Sequence, residues 1–234
     1  MKRMNEIISI DENNFMATVQ PGVITQHLQE TLQSKGLFYP PDPASKGSCF
    51  IGGNIAENSG GPKAVKYGVV KDYVINLEVV LASGEIIRTG SNTLKNATGY
   101  NLTQLMVGSE GTLGIVTEIV LKLIPHPTQT ILMLAPFTKL QEAAEAVPAI
   151  MKAGITPSGL EFMERAALDA ASQALPEEER LDVPDTIQAH LLIELDGNYP
   201  ELLMEEAETI FNILEKFDCG EILMARSEEH TSEL

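Results

Sequence analysis

The sequence predicts an α+β fold in two parts. Between residues 6 and 123, short runs of alternating apolar residues are separated by turn residues and two glycine-rich loops, the pattern of an antiparallel sheet. Pro125-His126-Pro127 then interrupts the chain as a linker. Beyond it, strands alternate with helices long enough to cover one face of a sheet. The expected boundaries are 1–125 for the first part, 126–225 for the second and 226–234 for a tail.

Glu6 to Ile10 and Phe15 to Val19 read as two strands, with Phe15, Ala17 and Val19 on one face. Pro21-Gly22 ends that sheet segment. Residues 23–35 follow as a helix, with Ile24, Leu28 and Leu32 on one stripe and Gly36 at its C-terminal cap. His27 has no histidine or cysteine near it in sequence and reads as a solvated side chain. Residues 40–61 hold too many prolines for a helix and too many glycines for a strand interior. Gly52-Gly53 and Gly60-Gly61 flank Asn54 and Asn58, so the backbone can turn sharply and leave N–H groups uncovered. Such a loop either cradles a polar, anionic or flat heteroaromatic ligand or is a surface loop with turn glycines. Asp42, between Pro41 and Pro43, taken by itself reads as a local Asx turn.

Tyr73 to Ala82 and Glu85 to Thr89 form a hairpin turned at Ser83-Gly84, with Leu77, Val79 and Leu81 alternating along one face. Residues 96–106 lead into a short helix whose Leu102, Leu105 and Met106 face inward. A second glycine loop follows, Gly108-Ser109-Glu110-Gly111-Thr112-Leu113-Gly114, and then Ile115, Thr117, Ile119, Leu121 and Leu123 alternate along a strand. Glu110 either accepts hydrogen bonds from ligand hydroxyls or closes the turn.

In the second part, Thr130 to Pro136 is a strand, and Thr138 with Gln141 forms a capping box for a helix running to Lys152. Gly159 to Met163 is a strand leading into a helix from Glu164 to Ala174, and residues 176–184 are an acidic loop. Ile187, Ala189, Leu191, Ile193 and Leu195 make one apolar strand face, with His190 and Glu194 on the other. At about 3.3 Å per residue that pair lies some 13 Å apart and is no catalytic couple. Asn198 caps a helix from Tyr199 to Phe217, and Glu221 to Met224 begins a last strand. Helices packed on one antiparallel sheet make this part a ferredoxin-like cap.

Composition narrows the function. With 44% hydrophobic residues, the 234-residue chain is globular. Its net charge of −17 disfavours nucleic acid and anionic membranes. No apolar run approaches the roughly 20 residues that span a bilayer, and there is no signal core, so the expected setting is cytoplasmic. Cys49 and Cys219, the only two cysteines, fit neither a disulfide framework nor a metal site. There is no P-loop and no Ser/His/Asp set, so no catalytic residue is named. The last nine residues, 226–234, read as the in-frame translation of a sequencing adapter and are excluded from the fold.

Taken in order, Pro41-Asp42-Pro43, Ile51-Gly52-Gly53-Asn54, Asn58-Ser59-Gly60-Gly61, Lys66-Tyr67-Gly68, Asp72-Tyr73-Val74 and Gly108 through Val116 resemble the PCMH-type FAD-binding domain of the vanillyl-alcohol oxidase superfamily. The likeness is to its glycolate oxidase and D-lactate dehydrogenase branch, and it runs from about Asn5 to Cys219. It implies FAD as cofactor, lying along the first glycine loop, with backbone groups near the pyrophosphate and isoalloxazine. Asp42 and Ser45 would serve ribose or pyrophosphate, and the main chain at Ile115 and Val116 would read the adenine. The implied contacts are Pro41, Asp42, Ser45, Gly52, Gly53, Asn54, Asn58, Gly60, Gly61, Glu110, Gly111, Gly114, Ile115 and Val116.

Relatives often attach flavin through histidine, sometimes with cysteine. No histidine occurs between His27 and His126, and Cys49 stands alone, so the expected attachment is non-covalent. The resemblance implies a 2-hydroxy-acid substrate, hydride transfer to flavin, and electrons leaving to an iron–sulfur, quinone or cytochrome partner. It also places an upstream pyrophosphate loop and a downstream arginine, lysine and histidine cluster outside the chain, which is therefore expected to be an inactive fragment. An alkylglycerone-phosphate-synthase-like enzyme and a non-catalytic flavin-binding subunit are the alternatives.

Overall fold

The computed structural model describes residues 3–174, 176 and 183–226. The chain divides into two compact units, Met1–His126 and Pro127–Leu234.

The first unit contains β1 (Ile7–Asp11), β2 (Met16–Val19), α1 (Thr25–Gln33), β3 (Leu37–Phe38), α2 (Ile51–Glu57), α3 (Ala64–Tyr67), β4 (Val74–Val80), β5 (Ile86–Arg88), α4 (Leu102–Met106), β6 (Ile115–Lys122) and β7 (Ile124–Pro125). Five strands form an antiparallel sheet in the order β1-β2-β6-β4-β5, and β3 pairs separately with β7. Alternation drives this arrangement. Ala17, Val19, Leu77, Val79, Ile119 and Leu121 point to one core, where Leu28 and Leu32 of α1 meet them.

Three expectations for this unit are corrected. Residues 51–57 are a helix and not a loop. Ile24 lies outside the stripe of α1, because it is extended and bridged to Phe50 while Thr25 takes the inward place. Leu102 and Leu105 are exposed. The five-residue α4 turns Thr103 and Met106 inward, and the Thr103 hydroxyl meets that of Thr89 at 2.9 Å.

The second unit is built from β8 (Gln129–Phe137), α5 (Leu140–Lys152), β9 (Gly159–Glu164), α6 (Arg165–Ala174), β10 (Ala189–Gly197), α7 (Pro200–Leu214) and β11 (Leu223–Arg226). The sheet order β11-β8-β10-β9, antiparallel throughout, is that of a ferredoxin-like fold with α6 as an additional helix. Ala143, Ala146 and Ile150 of α5 and Leu203, Ala207, Ile210 and Leu214 of α7 bury one sheet face.

Both expected caps are replaced. The N-cap of α5 is Lys139, and Thr138 instead donates its hydroxyl to the Asp218 carboxylate. The side-chain oxygen of Asn198 accepts from the Thr128 N–H, and Tyr199 is the N-cap of α7. Arg226, assigned to the tail, closes β11 opposite Ile131. Residues 227–234 and most of the acidic loop lie outside the described residues.

Candidate functional site

The first glycine segment is organised by what lies under α2. Ile51 and Ile55, one turn apart, are fully buried, and Asn54 between them is buried too. This inward stripe holds a helix against two consecutive glycines that each disfavour it by about 1 kcal/mol. The bed is residues 21–26. The N–H of Gly52 donates to Pro21 O at 2.9 Å, that of Ile51 to Val23 O at 2.9 Å, and that of Thr25 to Cys49 O at 3.2 Å. The backbone N–H groups of Ile51 and Gly52 are thus engaged, contrary to the expectation of an uncovered loop. The Asn54 amide donates to Thr25 Oγ1 at 2.7 Å, away from the surface.

The fold then joins the two glycine segments. The Gly108 N–H donates to Ile55 O at 2.8 Å, and the Glu110 N–H to Ala56 O at 2.9 Å. Asn58 ends α2 in the left-handed region, and its side-chain oxygen accepts from the Lys71 N–H at 2.9 Å. Gly61 lies so near residue 42 that a Cβ there would sit 2.0 Å from the Asp42 carbonyl oxygen. These contacts bring Pro41-Asp42-Pro43, Asn58 to Gly61 and Gly108 to Gly111 together.

Within that cluster, Pro41 is buried, with its carbonyl accepting from Gln29 Nε2, and the Asp42 carboxylate pairs with Lys46 at 3.1 Å. Ser45 is exposed and its carbonyl closes a turn onto Ser48 and Cys49. Gly60 is half-buried against Val69. Gly53 and Gly111 are exposed, with nothing within 4 Å of where a Cβ would stand. Glu110, although not glycine, also adopts a positive φ of 52°, and its side chain is exposed.

Other predicted residues sit further from the surface or at an edge. Gly114 is pressed onto β4, with a Cβ falling 2.5 Å from Val79 Cγ1. Ile115 is 56% exposed at the start of β6, and Val116 packs partly into the core. Gly52 and Asn54 face the bed, so their side-chain positions are turned away from any ligand over Gly53.

One signal was missed in the sequence. Residues 46–71 carry Lys46, Lys63, Lys66 and Lys71 against Glu57 alone, a basic stretch in an acidic chain. Bare backbone at Gly53 and Gly111 fits a cofactor with a flat ring system and a pyrophosphate. Burial pushes the Tyr39 hydroxyl beneath this region well up, and burial followed by the Asp72 charge pushes Tyr73 up to about 12, so both phenols stay neutral.

Among the described residues, no cluster of three or more His, Cys, Asp or Glu side chains could hold a metal ion, and no helix is long and apolar enough to cross a membrane. His190, buried in the second unit, has its pKa lowered by desolvation and then by the Arg165 charge.

Residues 1–90 match the family model of an FAD binding domain, and residues 126–234 match that of the C-terminal domain of FAD linked oxidases. Glycolate oxidase subunit GlcD of Bacillus subtilis is 48% identical over 228 residues, covering 97% of this chain and 47% of that protein. D-lactate dehydrogenase of Anaerostipes hadrus is 39% identical over 230 residues, covering 96% of this chain and 48% of that protein. The chain spans about half the length of the curated relatives it matches. A solved alkyldihydroxyacetonephosphate synthase superposes with a TM-score of 0.83 at 23% identity over 100% of this chain and 44% of its own, a likeness of fold alone.

Proposed function

Because the chain belongs to the FAD-linked oxidases, with FAD as their cofactor, we propose that it holds FAD non-covalently along its two joined glycine segments and serves oxidation of a 2-hydroxy acid of the glycolate or D-lactate type. The observation that carries this reading is the pair of backbone hydrogen bonds from Gly108 and Glu110 to Ile55 and Ala56, which join the second glycine segment to α2. Gly53, Gly60, Gly61 and Gly111 would offer main chain to the cofactor, and Asp42 and Ser45 polar side chains. Glu110 would accept from ribose hydroxyls, and Ile115 and Val116 would offer main chain to the adenine. When bound, FAD supplies the two-electron acceptor that 2-hydroxy-acid oxidation requires.

The second unit, with no glycine loop of this kind, would serve the substrate and touch no phosphate. Electrons would leave to an iron–sulfur, quinone or cytochrome partner in a cytoplasmic setting. The higher identity to the glycolate and D-lactate relatives favours this reading over synthase chemistry. The test is to purify the protein carrying this sequence, denature it in acid, and record flavin in supernatant and pellet, then titrate the native protein anaerobically with glycolate and D-lactate. Flavin released into the supernatant, and bleaching of the native protein's flavin by either acid, are expected. Absence of flavin, flavin retained by the denatured chain, or no bleaching would overturn the corresponding part of the proposal.

A further inference from the structure

We infer that Thr25 and Asn54 are positioning residues for the flavin-facing surface of α2, acting from beneath it without touching the cofactor; the inference rests on the FAD reading above. Thr25 is fully buried and Asn54 almost so. The Asn54 amide donates to Thr25 Oγ1 at 2.7 Å, and Thr25 Oγ1 lies 3.2 Å from Cys49 Sγ and 3.5 Å from Cys49 O. A hydroxyl that accepts from an amide keeps its own hydrogen for another partner, so the chain of donation runs Asn54 to Thr25 to Cys49. It links the first turn of α1, the middle of α2 and the residue just before the segment that enters α2. The Asn54 carbonyl, in turn, accepts from the Ser59 N–H at 2.9 Å, where the chain leaves α2.

Three links converge on one short helix with two glycines, whose own propensity would not fix its place. The helix carries Gly53 on its exposed side and, at Ile55 and Ala56, the carbonyls that hold the second glycine segment. A small shift of α2 therefore moves both halves of the site together. Hydrophobic residues alone would bury α2 equally well, but they are non-directional and would leave its rotation and height less defined.

The experiment separates positioning from mere stability. Replacing one partner strands the other as a buried polar group, whereas replacing both by apolar groups of similar shape removes that penalty. Thr25→Val should lower the thermal midpoint of the protein carrying this sequence. Thr25→Val with Asn54→Leu should recover most of that midpoint, and Thr25→Ser, which keeps the hydroxyl, should resemble the wild type. FAD affinity, read by quenching of flavin fluorescence, should stay weakened about tenfold or more in the double variant despite its recovered midpoint. The bound flavin's visible circular dichroism should change as well. A double variant that regains the wild-type FAD affinity and spectrum along with its midpoint overturns the positioning role. A wild-type protein that binds no FAD overturns the cofactor reading instead.

Discussion

The two glycine-rich segments use the same residue for opposite reasons. In the first, Gly52 and Gly61 are where other backbone comes close, against Pro21 and the Asp42 carbonyl. In the second, Gly108 and Gly111 are where the chain itself takes a positive φ, and around Gly111 there is open space. Gly52 and Gly61 lack room for a side chain, whereas Gly108 and Gly111 lack a permitted backbone conformation for one. The difference separates a part of the site built by packing from a part built by local shape. Alanine reports the two quite differently.

The largest effect should come from Gly61→Ala. A Cβ at 2.0 Å from a backbone oxygen cannot be relieved by rotating a side chain, so residues 41–43 must move away. Destabilisation of about 3 kcal/mol or more is expected in denaturant melts, together with loss of FAD binding. A loss under 1 kcal/mol would show that the close approach is not real. Gly111→Ala should lose less, about 1–2 kcal/mol, because only its φ of 74° is strained. A loss equal to that of Gly61→Ala would erase the distinction between the two segments.

Glu110→Gly sharpens the contrast by reversing the sign. Relief of the left-handed backbone should outweigh the added chain entropy and raise stability by about 0.5–1 kcal/mol. If the carboxylate serves the ligand, FAD affinity should fall while the melting midpoint rises. Unchanged affinity would leave Glu110 as a turn residue only.

The smallest effect lies in the second unit, away from both segments. The folded-state pKa of His190 is below its ordinary 6.5, so the unfolded chain takes up the proton first. The associated stability is present above about pH 6.5 and is lost as pH falls from there towards the lowered value. The midpoint of the wild type should drop more between pH 7 and 5 than that of His190→Gln, with flavin binding alike in both. Parallel curves would remove the histidine from the pH response.

Much of the fold was legible where alternation is long. Ala189, Leu191, Ile193 and Leu195, like Ile119, Leu121 and Leu123, stand at every second position and are all buried, because one face of each strand must be covered. The helix at 51–57 was not legible. Two glycines and an asparagine argue against helix locally, and only Ile51, Asn54 and Ile55 reaching one buried surface override that preference. The caps failed for a related reason. Thr138 and Asn198 found partners in Asp218 and Thr128, the first 80 positions away in sequence and the second 70. In the site, the turn glycines could be read from the sequence as markers, but the inward amide of Asn54 and its partner Thr25 depend on a contact that no local pattern encodes.

The placement of β6 decides the order in which the first unit can be completed during synthesis. It pairs with β2 on one side and β4 on the other, Val19 lying opposite Ile119 and Leu77 opposite the same residue. The two outer hairpins therefore emerge early from a ribosome but stay unjoined until β6 follows. At roughly 5–20 residues per second, the hundred or so residues between β2 and β6 take about 5–20 s to appear. Through that interval the edge of β2, and from its own later emergence that of β4, is open to wrong pairing. The loop at Gly108 to Gly114 immediately precedes β6, so the sheet closes and the two glycine segments meet within the same short stretch of translation.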